Sequence, residues 1–221
     1  MMFGHVMEDL TPEEIAAASQ LYAPLADRVR ELVAATVLTE VPAPDVAKAI
    51  QLIEEATALL GTKAVEGSFG VRWTPDGKRR TWGNAIVGLR NPIAPPLDIR
   101  QRGDLTYADV VIGPQYEGPP TLVHGGIIAA MLDQVLGDAA VNAGVPGMTG
   151  TLRIRYNRGT PLGPIRVQSA VDRVEGVKTF VSGQVIVDDA VTVEAEGIFI
   201  LPKAVRDLGD NPPPGILAPG D

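Results

Sequence analysis

Apolar and polar positions along this chain follow two different periods, and the change of period divides it. Over the first sixty residues the apolar spacing is helical. Leu10-Thr11-Pro12-Glu13-Glu14-Ile15 carries a helix start: Thr11 can cap, Pro12 takes the first helical position and Glu14 stands where a capping box needs its carboxylate. Leu10 and Ile15 would form a hydrophobic staple across that start. Ile15, Leu25, Val29 and Leu32 continue one face, which Pro24 is expected to kink or divide. After the break at Pro42-Ala43-Pro44, Asp45 can cap a second helix with Val46, Ile50, Ile53 and Leu60 on it and Gly61 as its stop. Neither helix has an isolated core, so both are expected to cover something else.

From about residue 64 the period shortens. Residues 65–73 and 81–89 contain strand-like stretches on either side of the turn signal Pro75-Asp76-Gly77. Asn91-Pro92-Ile93-Ala94-Pro95-Pro96 reads as a rigid surface connection, and 105–112 as a strand. The spacing then predicts a helix over 126–142, where Ile127, Ile128, Met131, Leu132, Val135 and Leu136 cover most of the circumference. Such a helix should be buried. Asp138, near its end, reads as a solvated surface residue. Gly144, Gly147 and Gly150 punctuate the exit, and four strands follow. Leu152, Ile154 and Tyr156 alternate with polar neighbours, Ile165, Val167 and Val171 keep that period, and 179–187 and 191–200 are joined by Asp188-Asp189. Gly209 to Asp221, with four prolines, reads as a loose tail. The fold class is α+β, one antiparallel sheet wrapped around a central helix, with 1–63 as a helical extension, 64–202 as the main domain and 203–221 as the tail. A sheet that covers one helix keeps an exposed face and edges, so dimerisation is physically attractive.

Composition narrows the chemistry. The 221 residues contain no cysteine and only two histidines, His5 and His124. Thiol nucleophiles, disulfides, thiolate metal sites and multi-histidine metal sites within one chain are excluded, so no metal is expected. With 19 basic and 27 acidic residues the formal charge is −8, which repels a phosphate backbone, so no nucleic-acid partner is expected. No run of 18 apolar residues could span a membrane, and the first residues lack the pattern of a signal peptide, which makes a cytoplasmic location the default expectation. There is no Gly-x-Ser-x-Gly elbow and no phosphate loop.

The informative segment is Val123-His124-Gly125-Gly126-Ile127, just before the apolar helix. One reading is a tight loop with His124 as a cap. The other is an oxyanion site, where glycine lets a ligand approach free amides at the positive end of a helix. Asp133 lies inside the most apolar helix, where a carboxylate needs a partner or a task. It is either held by neighbouring groups or a base or nucleophile lining a pocket.

The run His124-Gly125-Gly126-Ile127, with Asp133 in Met131-Leu132-Asp133-Gln134, resembles the hotdog-fold acyl-CoA thioesterases of the phenylacetate-degradation type. The run Thr149-Gly150-Thr151-Leu152-Arg153-Ile154-Arg155-Tyr156-Asn157-Arg158 and the proline-rich stretch 91–96 are similar to the THEM4-like branch, and the resemblance covers about residues 80–202. It implies that the Gly125 amide polarises a thioester carbonyl and that Asp133, contributed across a dimer interface, activates water or attacks. It implies further that Thr149 assists the acid and that His124 shapes the loop. Gly126 would contact substrate, and Arg153, Arg155, Arg158 and Lys178 are the candidates for the coenzyme A phosphates. Gly137 departs from the branch that carries a hydroxyl there, and Gly159-Thr160 from the proline that usually follows the strand.

Thioester hydrolysis suits so small a set of groups, because the thiolate leaves with little protonation. The implied function is hydrolysis of an acyl-CoA to free acid and coenzyme A, with no cofactor, in a homodimer or a tetramer of two dimers. Two alternatives stand beside it: a hotdog hydratase or dehydratase using His124 and Asp133, and a non-catalytic acyl-CoA-binding dimer.

Overall fold

The structure is a computed structural model that describes residues 5–75 and 79–203. The expected tail and part of the Pro75-Asp76-Gly77 turn lie outside the described residues. The N-terminal half opens with β1 (His5–Met7), then α1 (Pro12–Leu38) and α2 (Ala43–Gly61). Thr11 caps α1 through the full capping box, accepting from the Glu14 amide while the Glu14 carboxylate accepts from the Thr11 amide. Contrary to expectation, Pro24 does not divide the helix, which runs 27 residues through it.

The strands β2 (Val71–Trp73) and β3 (Arg79–Arg80) join β1 in a small sheet, in which the Glu8 carboxylate sits between Arg72 and Arg80. The strand expected over 81–89 is absent. Asn84 is the reason: its Oδ1 accepts from the amides of Ile86 (2.7 Å) and Val87 (3.0 Å), and its carbonyl accepts from Gly88, so the chain turns. The proline-rich connection is also less superficial than expected. Ala94 is buried, its carbonyl accepts from Arg30 Nε of α1 at 3.1 Å, and the Ile93 carbonyl accepts from the Tyr116 hydroxyl.

The main sheet has six antiparallel strands in the order β4 (Arg100–Arg102), β5 (Leu105–Ile112), β7 (Gly163–Glu175), β8 (Lys178–Val187), β9 (Ala190–Ile200) and β6 (Met148–Tyr156). The Asp188-Asp189 turn is the tight hairpin the sequence signals, with both residues at positive φ between paired Val187 and Ala190. The sheet curls around α3 (Gly125–Asn142), whose Ile128, Met131, Leu132, Val135, Leu136, Ala139 and Ala140 are buried. Close approach depends on two glycines of adjacent strands. A Cβ on Gly183 would lie 2.4 Å from Leu136 Cδ1, and one on Gly197 would lie 2.9 Å from Leu136 Cδ2. Leu136 therefore sits in a slot that any larger residue would close. Ser169 Oγ fastens the sheet to the helix by donating to the Val135 carbonyl at 2.9 Å.

The N-terminal helices cover less than expected. In α1 only Ala26 is buried, and in α2 every residue is exposed. None of the described helices is long and apolar enough to cross a membrane.

Candidate functional site

Two groups of residues on α3 and β6 carry the candidate chemistry, one at the start of α3 and the end of β6, the other in the middle of α3 and near the start of β6. The first is the N-terminus of α3. The loop before it is held by backbone bonds from His124 to Tyr116 and from Val123 to Thr160. His124 is the cap: its Nδ1 accepts from the Gly126 amide at 2.9 Å. The Gly125 amide, by contrast, donates to no group among the described residues. An unpaired N–H at the positive end of an 18-residue helix is a ready donor for an oxygen that gains negative charge. The Tyr156 hydroxyl donates to the Gly125 carbonyl at 2.8 Å and so fastens this turn to β6. Tyr156 was legible only as one more residue of the strand alternation. Its place on the inward face with Leu152 and Ile154 was the signal that it would meet the helix.

The second group is Asp133 with Thr149. Thr149 Oγ1 donates to Asp133 Oδ1 at 2.7 Å, which orients a half-buried carboxylate. The geometry depends on a bulge. The register between β6 and β9 shifts at Gly150, with Thr149 opposite Phe199 and Thr151 opposite Ile198. A Cβ on Gly150 would lie 2.6 Å from Ile200 Cδ1, so a larger residue at the bulge would push the end of the Ile200 side chain aside. Gly137, one turn beyond Asp133, faces Phe199, which a Cβ there would approach to 3.3 Å.

Gly125 and Asp133 of one protomer do not converge. Eight residues of helix separate them by about 12 Å, far beyond the reach of one carbonyl group. Along β6 the separation of their partners Tyr156 and Thr149 is larger still, about 23 Å.

The four basic candidates scatter. Arg153 and Arg155 point to the outer face of the sheet, where they pair with Glu196 (3.4 Å) and Glu194 (3.9 Å). Lys178 lies opposite Ile200, at the Met148 end of β6. Arg158 follows Tyr156 at the Gly125 end, exposed, and its side chain has no hydrogen bond or ion pair among the described residues.

Asp138 overturns its reading as a solvated residue. It is half-buried beside α1 and the 79–99 segment, accepts from Gln134 Nε2 at 3.1 Å, and burial pushes its carboxyl above the usual range. Among the described residues no group of three or more His, Cys, Asp or Glu side chains could hold a metal ion.

The family described as "Thioesterase superfamily" matches residues 121–194, the segment from the loop before α3 into β9. An acyl-coenzyme A thioesterase THEM4 of Xenopus laevis is 40% identical over 91 residues, which is 40% of this chain and 41% of that protein. Acyl-coenzyme A thioesterase THEM5 of Homo sapiens is 34% identical over 91 residues, 40% of this chain and 37% of that protein. The chain thus spans about two fifths of the length of the curated relatives it matches. A solved thioesterase superfamily protein superposes with a TM-score of 0.74 at 29% identity, covering 81% of this chain and 90% of its own. The domain built around α3 has the hotdog fold, and its residues 121–194 match the thioesterase superfamily.

Proposed function

We propose that the protein hydrolyses an acyl-CoA thioester to the free acid and coenzyme A, in a site completed by two protomers. The observation that carries this reading is the split between a free carbonyl-polarising amide at Gly125 and an oriented carboxylate at Asp133. The strand that bears both of their partners, β6, is the edge of the sheet. Antiparallel pairing of β6 with its two-fold copy, about an axis near Arg153, brings the Thr149 end of one strand against the Tyr156 end of the other. Each Gly125 amide then faces the partner subunit's Asp133, and two equivalent sites form.

In that arrangement the thioester carbonyl oxygen accepts from the Gly125 N–H, and the helix dipole stabilises the charge that develops on it. Asp133, held by Thr149, takes a proton from the attacking water, or attacks the carbonyl carbon itself to give a mixed anhydride that water then hydrolyses to the free acid, restoring the carboxylate. The carbon–sulfur bond breaks and the thiolate leaves with no acid needed. His124 keeps the first turn in shape through the Gly126 amide, and Tyr156 holds the Gly125 carbonyl. Arg158, unpaired and at the Gly125 end, is the basic candidate best placed for the coenzyme A phosphates.

The test is thiol release from short, medium, long and aromatic acyl-CoAs by the parent and by Asp133→Asn. The parent should turn over at least one class, and the variant should lose about 100-fold or more in kcat with its thermal midpoint kept, as expected for removal of a positioned base. Equal release by both would contradict the role of Asp133. No release from any member of the panel would contradict the activity.

A further inference from the structure

A cavity of about 510 Å³ lies between α1, the 79–99 segment and α3. The α3 residues that reach it are Gln134, Asp138 and Asn142, and Asp138 stands roughly 140° round the helix from Asp133. Neither Gly125, Asp133 nor Thr149 lines it. Apolar and polar side chains share the wall about equally, with Trp82, Val87, Pro96, Leu97 and Ile99 in its apolar part.

Its charged side chains are Asp27, Arg30, Arg79, Asp98 and Asp138, and all but one have a partner. Asp27 is paired with Arg30, which also donates to the Ala94 carbonyl. Asp98 accepts twice from Arg100. Asp138 accepts from Gln134, and burial holds it toward its neutral form. The neighbouring Arg80 is engaged by Glu8 and stacks at 4.8 Å over Trp82. Arg79 differs in that its side chain makes no hydrogen bond or ion pair among the described residues, although its charge is felt at Asp138; its Nε, like that of Arg80, is buried without an acceptor. A half-buried guanidinium left unpaired is costly, and an acceptor from outside the chain would remove that cost.

We propose that this cavity binds a small apolar monocarboxylate, its carboxylate on the Arg79 guanidinium and its hydrocarbon body among Trp82, Pro96 and Leu97. The volume is within the range of small-molecule sites, in which apolar side chains take the body of the ligand and a few placed polar groups orient it. A carboxylate matches the planar fork of an arginine, and the burial that disfavours charge on Asp138 lessens its repulsion of the ligand. The acid released by thioester hydrolysis falls in the same class, a link that rests on the proposed function. Octanoate binding itself does not rest on it.

Calorimetric titration with octanoate and with octanamide tests the site. The parent should bind octanoate at least tenfold more tightly than octanamide, and Arg79→Gln should weaken octanoate at least tenfold. Ala23→Trp, which fills the cavity from α1, should abolish binding with the thermal midpoint kept, and it decides the matter if Arg79→Gln does not fold. Asp133→Asn should leave octanoate affinity unchanged. No binding to the parent, unchanged affinity in Arg79→Gln or Ala23→Trp, or loss in Asp133→Asn would each overturn the proposal. Because no turnover is needed, failure here leaves thioester hydrolysis standing, and absence of hydrolysis leaves the site standing.

Discussion

Two helices of nearly equal length, α2 with 19 residues and α3 with 18, are both rich in aliphatic side chains and have opposite surroundings. In α3 seven residues are buried, whereas α2 has none, and its Ile50, Leu52, Leu59 and Leu60 are all more than half exposed. The difference does not lie in apolar spacing, which both possess. It lies in the surface each helix meets. The loop before α3 is tied to the body at Tyr116 and Thr160, and the sheet offers a slot at Gly183 and Gly197 for Leu136. Proline 42 leads into α2 without a side-chain cap, and no described element of the protomer packs over its apolar positions. Periodicity reports what a helix could bury; the partner surface decides whether it does.

The contrast can be pressed with substitutions of decreasing effect. Leu136→Ala empties the slot on α3 and should cost about 2–5 kcal/mol in chemical denaturation, the usual range for a fully buried leucine. A cost below 1 kcal/mol would mean that the slot collapses or that the packing is loose. Asp138→Asn should stabilise. The folded carboxyl titrates above its unfolded value because of burial, opposed by Gln134 and the nearby Arg79 charge. The folded state therefore binds more protons than the unfolded one between the two values, and stability falls as pH rises through that window. The variant should melt higher at pH 7, by about 2–4 °C if the gain is near 1 kcal/mol, and the gain should vanish in acid below the unfolded value. An unchanged melting point at pH 7 would contradict the buried reading. Ile53→Ala, on α2, should change stability by no more than about 0.5 kcal/mol. A larger loss would show that this face packs against something beyond the protomer.

The same contrast explains how much was legible beforehand. The buried helix, the strand over 105–112 and the four strands after α3 were legible because each carries its period over many residues. The capping box at Thr11 and the Asp188-Asp189 hairpin were legible because they are local chemistry. The 81–89 segment has strand-like composition, yet the Asn84 side chain turns it by bonding two amides. Pro24 sits in a helix long enough to absorb it. Asp138 was misread because its burial comes from α1 and the 79–99 segment, which are distant in sequence. Asp133 and Gly125 were legible as candidates from their places in and before the apolar helix, and Thr149 through resemblance. The bulge at Gly150 that aims Thr149 and the Tyr156 bond to Gly125 depend on register and needed three dimensions.

The central claim, that one active site takes its amide from one protomer and its carboxylate from the other, is tested most directly by complementation. Gly125→Pro removes the amide hydrogen at the first helical position, where proline is well tolerated and the extended backbone of His124 already suits it. That variant and Asp133→Asn should each be nearly inactive toward the acyl-CoA that the parent turns over best. After mixing in equal amounts and reassembly, half of the dimers carry one intact pairing, so roughly a quarter of the parent activity should return. A mixture no more active than its components, with heterodimers confirmed by mass spectrometry, would contradict the shared site.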